Sequence, residues 1–266
     1  MKIPVLLPNI FDHPFTYETD SNLKTGDYVN VPFGNSILTG VIWDHFENSQ
    51  KKSFNLKKIL NKINIDPLNK KTINFLNWFS EYNLIPKGMS LKLHLASGKA
   101  VEKFSSEEYK FYKANFDKHS FNLNNEQLDA YNEMSKNSEN FRVHLLQGAT
   151  GSGKTLVYFN IIKKKIEKGY QALILLPEIG LTGEFEKKFK EFFGFNAAVW
   201  HSGISPKRKK IIWSGLASKN IKVVIGARSA LFLPFKKLGI IIVDEEHDQS
   251  FKQDEGVIYN ARDMAI

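Results

Sequence analysis

Gly148-Ala149-Thr150-Gly151-Ser152-Gly153-Lys154-Thr155 carries the G-x-x-x-x-G-K-[ST] spacing of a phosphate-binding loop. Immediately upstream, Phe141-Arg-Val-His-Leu-Leu-Gln147 is short and apolar, which predicts a buried strand. Downstream, Leu156 to Lys168 places apolar residues at helical spacing, and Gly169 supplies a stop. Strand, glycine loop and helix together give the motif its meaning. Glycines let backbone N–H groups close around an anion, and the helix N-terminus adds partial positive charge. The pattern assigns phosphate binding to Gly148, Ala149, Thr150, Gly151, Ser152 and Gly153. Lys154 reaches the β- and γ-phosphates of ATP, and the Thr155 hydroxyl ligates Mg²⁺.

A second segment completes that chemistry. Leu238-Gly-Ile-Ile-Ile-Val243 is a continuous apolar, β-branched run, the pattern of a central parallel strand buried on both faces. It runs into Asp244-Glu245-Glu246-His247, at the strand end where α/β folds place their chemistry. Three adjacent carboxylates repel one another and call for a cation. Asp244 is expected to hold Mg²⁺, usually through water, and Glu245 to orient or deprotonate an attacking water. The candidate catalytic set is therefore Lys154, Asp244 and Glu245, with Thr155 and Asp244 on the metal.

The rest of the 266 residues sets limits. Hydrophobic content of 42% and charged content of 24% are ordinary for a globular protein. There is no cysteine, so disulfides, Cys-ligated zinc and thiol nucleophiles are excluded within these residues. No apolar run approaches a membrane span, and Met1 to Pro8 is too short and Pro-broken for a signal peptide, so a cytoplasmic protein with no membrane partner is expected. A net charge of +9 and a pI near 9.4 point to a polyanionic partner.

Three regions follow. Residues 1–98 read as β-rich, with alternation at Asp27–Val31 and Ile37–Trp43 and one helix from Asp66 to Tyr82 begun by Pro67. Residues 99–120 read as a linker or one short helix. Residues 121–266 alternate strand and helix: strand 172–176, helix 182–193, strand 197–199, helix 206–216 and strand 221–225, a doubly wound parallel sheet. The segments after two of those strands, Leu175 to Thr182 and Ile225 to Leu233, offer amides, hydroxyls and Arg228 at one sheet edge, groups that hold a sugar-phosphate backbone. Gln127, about twenty residues before the loop, is placed either to read an adenine edge or to cap a helix.

In order, Asn-Glu-Gln127, GATGSGKT155, LLPEIGLT182, WHSG203, IGARSALFLPF235 and VDEEHDQSFKQDEG256 resemble the first motor lobe of the PriA family of replication-restart DNA helicases, in superfamily 2. The resemblance implies an α/β, RecA-like P-loop NTPase lobe (121–266) preceded by a small β-rich domain (1–98) that binds DNA 3′ ends. Asp248 to Arg262 is similar to that family's aromatic-rich loop, which implies DNA contact by Phe251, Lys252 and Tyr259; stacking beside a lysine suits single-strand binding. Upstream, Pro14-Phe-Thr-Tyr17, Lys24 to Gly34 and Leu56-Lys57 resemble the 3′-end pocket, which implies that Phe15, Thr16, Tyr17, Gly34 and Lys57 line it. Read without the resemblance, those residues are a β-barrel core, and Lys51, Lys52, Lys57 and Lys58 a solvated face.

Three departures stand out. Thr16 replaces the Asp usual between the two aromatics, exchanging a pure acceptor for a group that donates and accepts. Only 99–120 stand where the family carries a winged-helix domain, a remnant of it at most. The chain stops at Ile266, before the second motor lobe, its arginine finger and the family's zinc sites. The expectation is a truncated, monomeric portion of an ATP-dependent 3′→5′ helicase that uses ATP and Mg²⁺ but not zinc. Its expected partners are forked, 3′-ended and single-stranded DNA, and, by resemblance, primosome and single-strand-binding proteins. On that reading it binds ATP without processive unwinding. The alternatives are a catalytically deficient fork-recognition scaffold and a restriction-type translocase subunit, which would not carry the N-terminal pattern.

Overall fold

Alternation at Tyr28–Phe33 and Ser36–Ile42 builds two strands joined by the two-residue turn Gly34-Asn35, with Gly34 at φ +57°. In the computed structural model, which describes residues 1–44, 56–96, 106–112, 122–136 and 140–266, these are β3 and β4 of a five-stranded sheet. With β1 (Lys2–Leu6), β2 (Phe15–Glu18) and β5 (Asn61–Lys62), the antiparallel order is β2-β1-β4-β3-β5. Both edges then meet the same segment. Ile59 N–H donates to Glu18 O, Glu18 N–H to Lys57 O, and Leu60 N–H to Asn30 O. The sheet thus closes into a small barrel, which removes its free edges. Val5, Leu7, Tyr17, Val29, Val31 and Ile42 fill the interior, while Leu6, Tyr28 and Val41 alternate outward.

Helix α1 runs Lys70–Tyr82, capped by Asn69, whose side chain accepts from Thr72 N–H. The expected start near Pro67 is corrected accordingly: Leu68 and the cap lie outside the helix. Helix α2 (Lys87–Leu95) was not anticipated. Of the expected linker 99–120, only 106–112 are described; they form a 3₁₀ turn whose Tyr109 is buried in the motor core. Lys51 and Lys52, the remainder of that linker and the 98/99 boundary lie outside the described residues.

The C-terminal part is a parallel sheet of β6 (Gln171–Leu175), β7 (Ala198–Trp200), β8 (Val223–Gly226) and β9 (Leu238–Val243) in the order β7-β8-β6-β9. Its helices are α3 (Asn125–Ser135), α4 (Lys154–Glu167), α5 (Gly183–Phe193) and α6 (Pro206–Ala217). Period-two alternation sends Ala172, Ile174, Val223 and Ile225 to the α4/α5 side, with Phe159, Phe189 and Phe193. Leu173, Leu175 and Val224 face α6 and the N-terminal elements. That second core is continuous across the two halves, from Tyr28 and Trp43 through Phe79 and Leu91 to Trp213 and Phe232.

One expected strand is absent. Phe141–Gln147 has no regular secondary structure and pairs with no described strand, with Phe141 74% and Leu145 80% exposed. Arg142 and His144 alternate with the apolar side chains, so a strand here would offer a single apolar face. The expected central, doubly buried strand at Leu238–Val243 is corrected likewise: among the described residues the outer edge of β9 is unpaired, and β9 is only partly buried where β6 and β8 are fully so.

Candidate nucleotide site and nucleic-acid interface

Parallel register pairs Leu175 with Gly226 on one side and with Val243 on the other, so β6, β8 and β9 end at one level. Asp244 N–H donates to Leu175 O at 3.0 Å, pinning the first residue beyond β9 to that level. The segments that follow, Pro177-Glu178, Ala227-Arg228 and Asp244-Glu245, therefore leave from one edge of the sheet.

The phosphate loop is shaped by its glycines. Gly151 and Gly153 both sit at φ +82°, a conformation that L side chains rarely adopt. A Cβ at Gly148 would come within 2.7 Å of Ser152 Oγ, and one at Gly153 would collide with the Gln127 amide. Lys154 Nζ folds back onto the loop, donating to Gly148 O at 2.7 Å and Ala149 O at 3.2 Å. This cradle of small residues around an ammonium at a helix start fits an oligophosphate. Gln127 is a helix cap, exchanging bonds with Asn124 in a capping box, and its Nε2 also donates to Ser152 O at 2.9 Å.

Asp244 is held on both oxygens. Tyr158, from α4 and 4% exposed, donates its hydroxyl to Asp244 Oδ2 at 2.8 Å, and Glu245 N–H donates to Oδ1 at 3.1 Å. Burial first, then the Asp244 charge, pushes the Tyr158 phenol up, so it remains a donor. Glu245 sits at φ +50°, a strained backbone that turns the carboxylate out to solvent, 3.7 Å from His247 Nε2. Glu246 pairs with Arg262 at 3.2 Å. Among the described residues no three His, Cys, Asp or Glu side chains converge. A Mg²⁺ ion held by Asp244 and Thr155, as the sequence leads one to expect, would need phosphate oxygens and water to complete its shell, which suits its preference for few protein ligands.

Of the residues expected to bind DNA, the structure brings Arg228 and Lys252 together: the Arg228 guanidinium donates to Lys252 O. Phe251 and Tyr259 require correction. They are 1% and 3% exposed, and Tyr259 packs edge-on against Phe79 and Phe232. Rings enclosed this way have no face to offer a base; they are core residues, because the two-stranded turn of β10 (Lys252–Gln253) and β11 (Tyr259–Asn260) folds inward. In the barrel, Phe15 and Tyr17 face inward while Thr16, paired with Pro4, faces out. Tyr17 is buried, its hydroxyl donating to Pro32 O. Phe15, Gly34 and Lys57 meet at one barrel mouth, where Lys57 Nζ donates to Gly34 O at 3.4 Å and Phe15 packs edge-on with Phe33.

Sequence reading missed the rest of that mouth. Phe11 packs on both Phe15 and Phe33, and His13 on Phe15, forming a partly exposed aromatic cluster. A run of ring residues near one hairpin, Phe11, His13, Phe15 and Phe33, was the available signal. Trp78, read as one of the apolar helix positions, is instead 41% exposed and stacks on Tyr82.

Residues 120–264 match the family described as type III restriction enzyme, res subunit, and residues 4–96 match the 3′ DNA-binding domain of PriA. The chain belongs to that helicase-type family, with a 3′-end DNA-binding domain ahead of the motor fold. Within it, the chain is similar to curated proteins called replication restart protein PriA. It is 39% identical to that of Rickettsia conorii over 98% of this chain and 40% of the relative. Against Helicobacter pylori (strain 26695) the identity is 35% over 95% of this chain and 38% of the relative. The Bacillus subtilis protein shares 44% over 54% of this chain and 18% of its own length. The chain thus spans about two fifths of the relatives that it matches along nearly its whole length. No helix among the described residues is long and apolar enough to cross a membrane.

Proposed function

We propose that this chain is the ATP- and DNA-binding part of a replication-restart motor: residues 1–98 bind DNA 3′ ends, 99–120 connect, and 121–266 bind ATP with Mg²⁺. The observation that carries the reading is the delivery of Asp244 and Glu245, pinned to β6, to the sheet edge of a chain that also has a glycine-built phosphate cradle. Mg²⁺, when bound, neutralises phosphate charge. Lys154 would donate to the β- and γ-phosphates in place of its present carbonyl partners, and Thr155 and Asp244 would hold the ion; Glu245 would orient the water that attacks the γ-phosphorus and take its proton as the bond to the departing ADP breaks. At the barrel mouth, Phe15, Phe33 and Phe11 offer ring faces for a terminal base and Lys57 a charge for its phosphate. Unwinding with 3′→5′ polarity, primosome and single-strand-binding partners and a cytoplasmic setting belong to the whole protein and are proposed with it.

Titration with a fluorescent ATP analogue tests the motor half. Lys154→Ala should weaken binding at least about tenfold, the scale of one lost charge-assisted contact. Unchanged affinity rejects the nucleotide reading. Competition at fixed salt between DNA ending in a 3′-hydroxyl and in a 3′-phosphate tests the barrel, since backbone contacts alone give affinity without end preference. Equal affinities reject an end pocket.

A further inference from the structure

Two side chains meet at the nucleotide edge. Tyr158, one turn beyond Thr155 on α4, donates its hydroxyl to Asp244 Oδ2 at 2.8 Å. A residue expected to hold the metal is thus bound by one that lies in no motif. A carboxylate ligand works best with its plane fixed, and ligand-supporting partners of this kind carry much of a metal site's affinity.

From this geometry we infer that Tyr158 is a positioning residue for the metal: it donates to Asp244 and so sets the direction of that ligand. Oδ1 is restrained in parallel by Glu245 N–H at 3.1 Å. The ring is buried against Phe159, so removing only the hydroxyl leaves the packing in place. The inference rests on the proposed Mg²⁺–nucleotide site.

The test uses the full chain and a fluorescent ATP analogue, titrated with excess Mg²⁺ and with EDTA. Tyr158→Phe should weaken binding about tenfold in Mg²⁺, the low end for loss of a ligand-supporting bond, and by less than about twofold in EDTA. Asp244→Asn should lose the same Mg²⁺-dependent part, and the double variant should be no worse than Asp244→Asn alone. Equal weakening in both arms, no weakening, or additive losses overturns the proposal. Lys154→Ala separates the two readings: if it binds like the unaltered chain, the nucleotide site itself is wrong. If it loses binding while Tyr158→Phe is unaffected, only the role of Tyr158 falls.

Discussion

The seam between the barrel and the motor and the edge that carries the phosphate loop both border the parallel sheet, yet they are built on opposite terms. At the seam, His94 of α2 is fully buried with both ring nitrogens paired, Nε2 with Tyr28 Oη at 3.0 Å and Nδ1 with Phe232 O at 2.8 Å. Trp213 Nε1 donates to His94 O at 2.9 Å, and Asn69 Nδ2 to Phe235 O at 3.1 Å. At the nucleotide edge, Lys154 satisfies itself on loop carbonyls and Glu245 stands in a strained turn, both in contact with water. A buried polar group must find fixed partners, because an unmet one costs more than a made bond returns. A site that receives a polyanion has to keep its donors reachable. The seam therefore holds the fold together, and the edge is left free to exchange partners.

The largest effect that sharpens this contrast is a pH dependence at the seam. Burial holds His94 down to about 4 against an ordinary value near 6.5, with the Phe232 carbonyl opposing weakly. The unfolded chain therefore binds a proton that the folded chain refuses between those values, so stability rises with pH across the window. It is complete above about 6.5 and falls as pH drops toward 4. The loss by pH 4.5 amounts to about 2–3 kcal/mol. His94→Gln keeps a donor and an acceptor but does not titrate. Denaturant midpoints at pH 7 and 4.5 should fall less for this variant than for the unaltered chain. Equal falls would mean that His94 is hydrated, and that the seam resembles the edge.

What could be read beforehand follows the same division. Strands β6 and β8 were legible because burial on both faces of a parallel sheet demands continuous apolar runs; β9 was found by the same run, but its exposed edge was not. Helices α5 and α6 were legible to within a residue of their observed ends, 182–193 against Gly183–Phe193 and 206–216 against Pro206–Ala217, because Thr182 and Ser205 cap them. The phosphate loop and Asp244-Glu245 were legible because their spacing is dictated by chemistry. Barrel closure was not, since Lys57–Lys62 pairs through backbone and its composition carries no alternation. Aromatic residues in a loop read alike whether they stack on a base or fill a core, so Phe251 and Tyr259 were assigned to DNA and belong to packing. Tyr158 looked like one more apolar position of α4. Its i+3 offset from Thr155 was the only mark of its place on the site face.

The smallest expected effect is the one that would break the comparison. Phe141–Gln147 has the composition of a strand and the exposure of a loop, while no described residue pairs the outer edge of β9. If the segment is a loop, Leu145→Ser removes a side chain that is already in water, and the unfolding free energy should change by less than about 0.5 kcal/mol. If instead it pairs with a sheet, Leu145 faces a core, and the same substitution should cost about 2–5 kcal/mol, the range of a large-to-small core change. The gap between those values exceeds the error of a denaturant titration. Repeating the measurement with saturating nucleotide and Mg²⁺ adds a second reading, because the segment leads directly into the loop at Gly148. A cost that appears only with ligand would show that binding draws the segment onto the sheet. The nucleotide edge would then acquire, on loading, the closed packing that the seam has already.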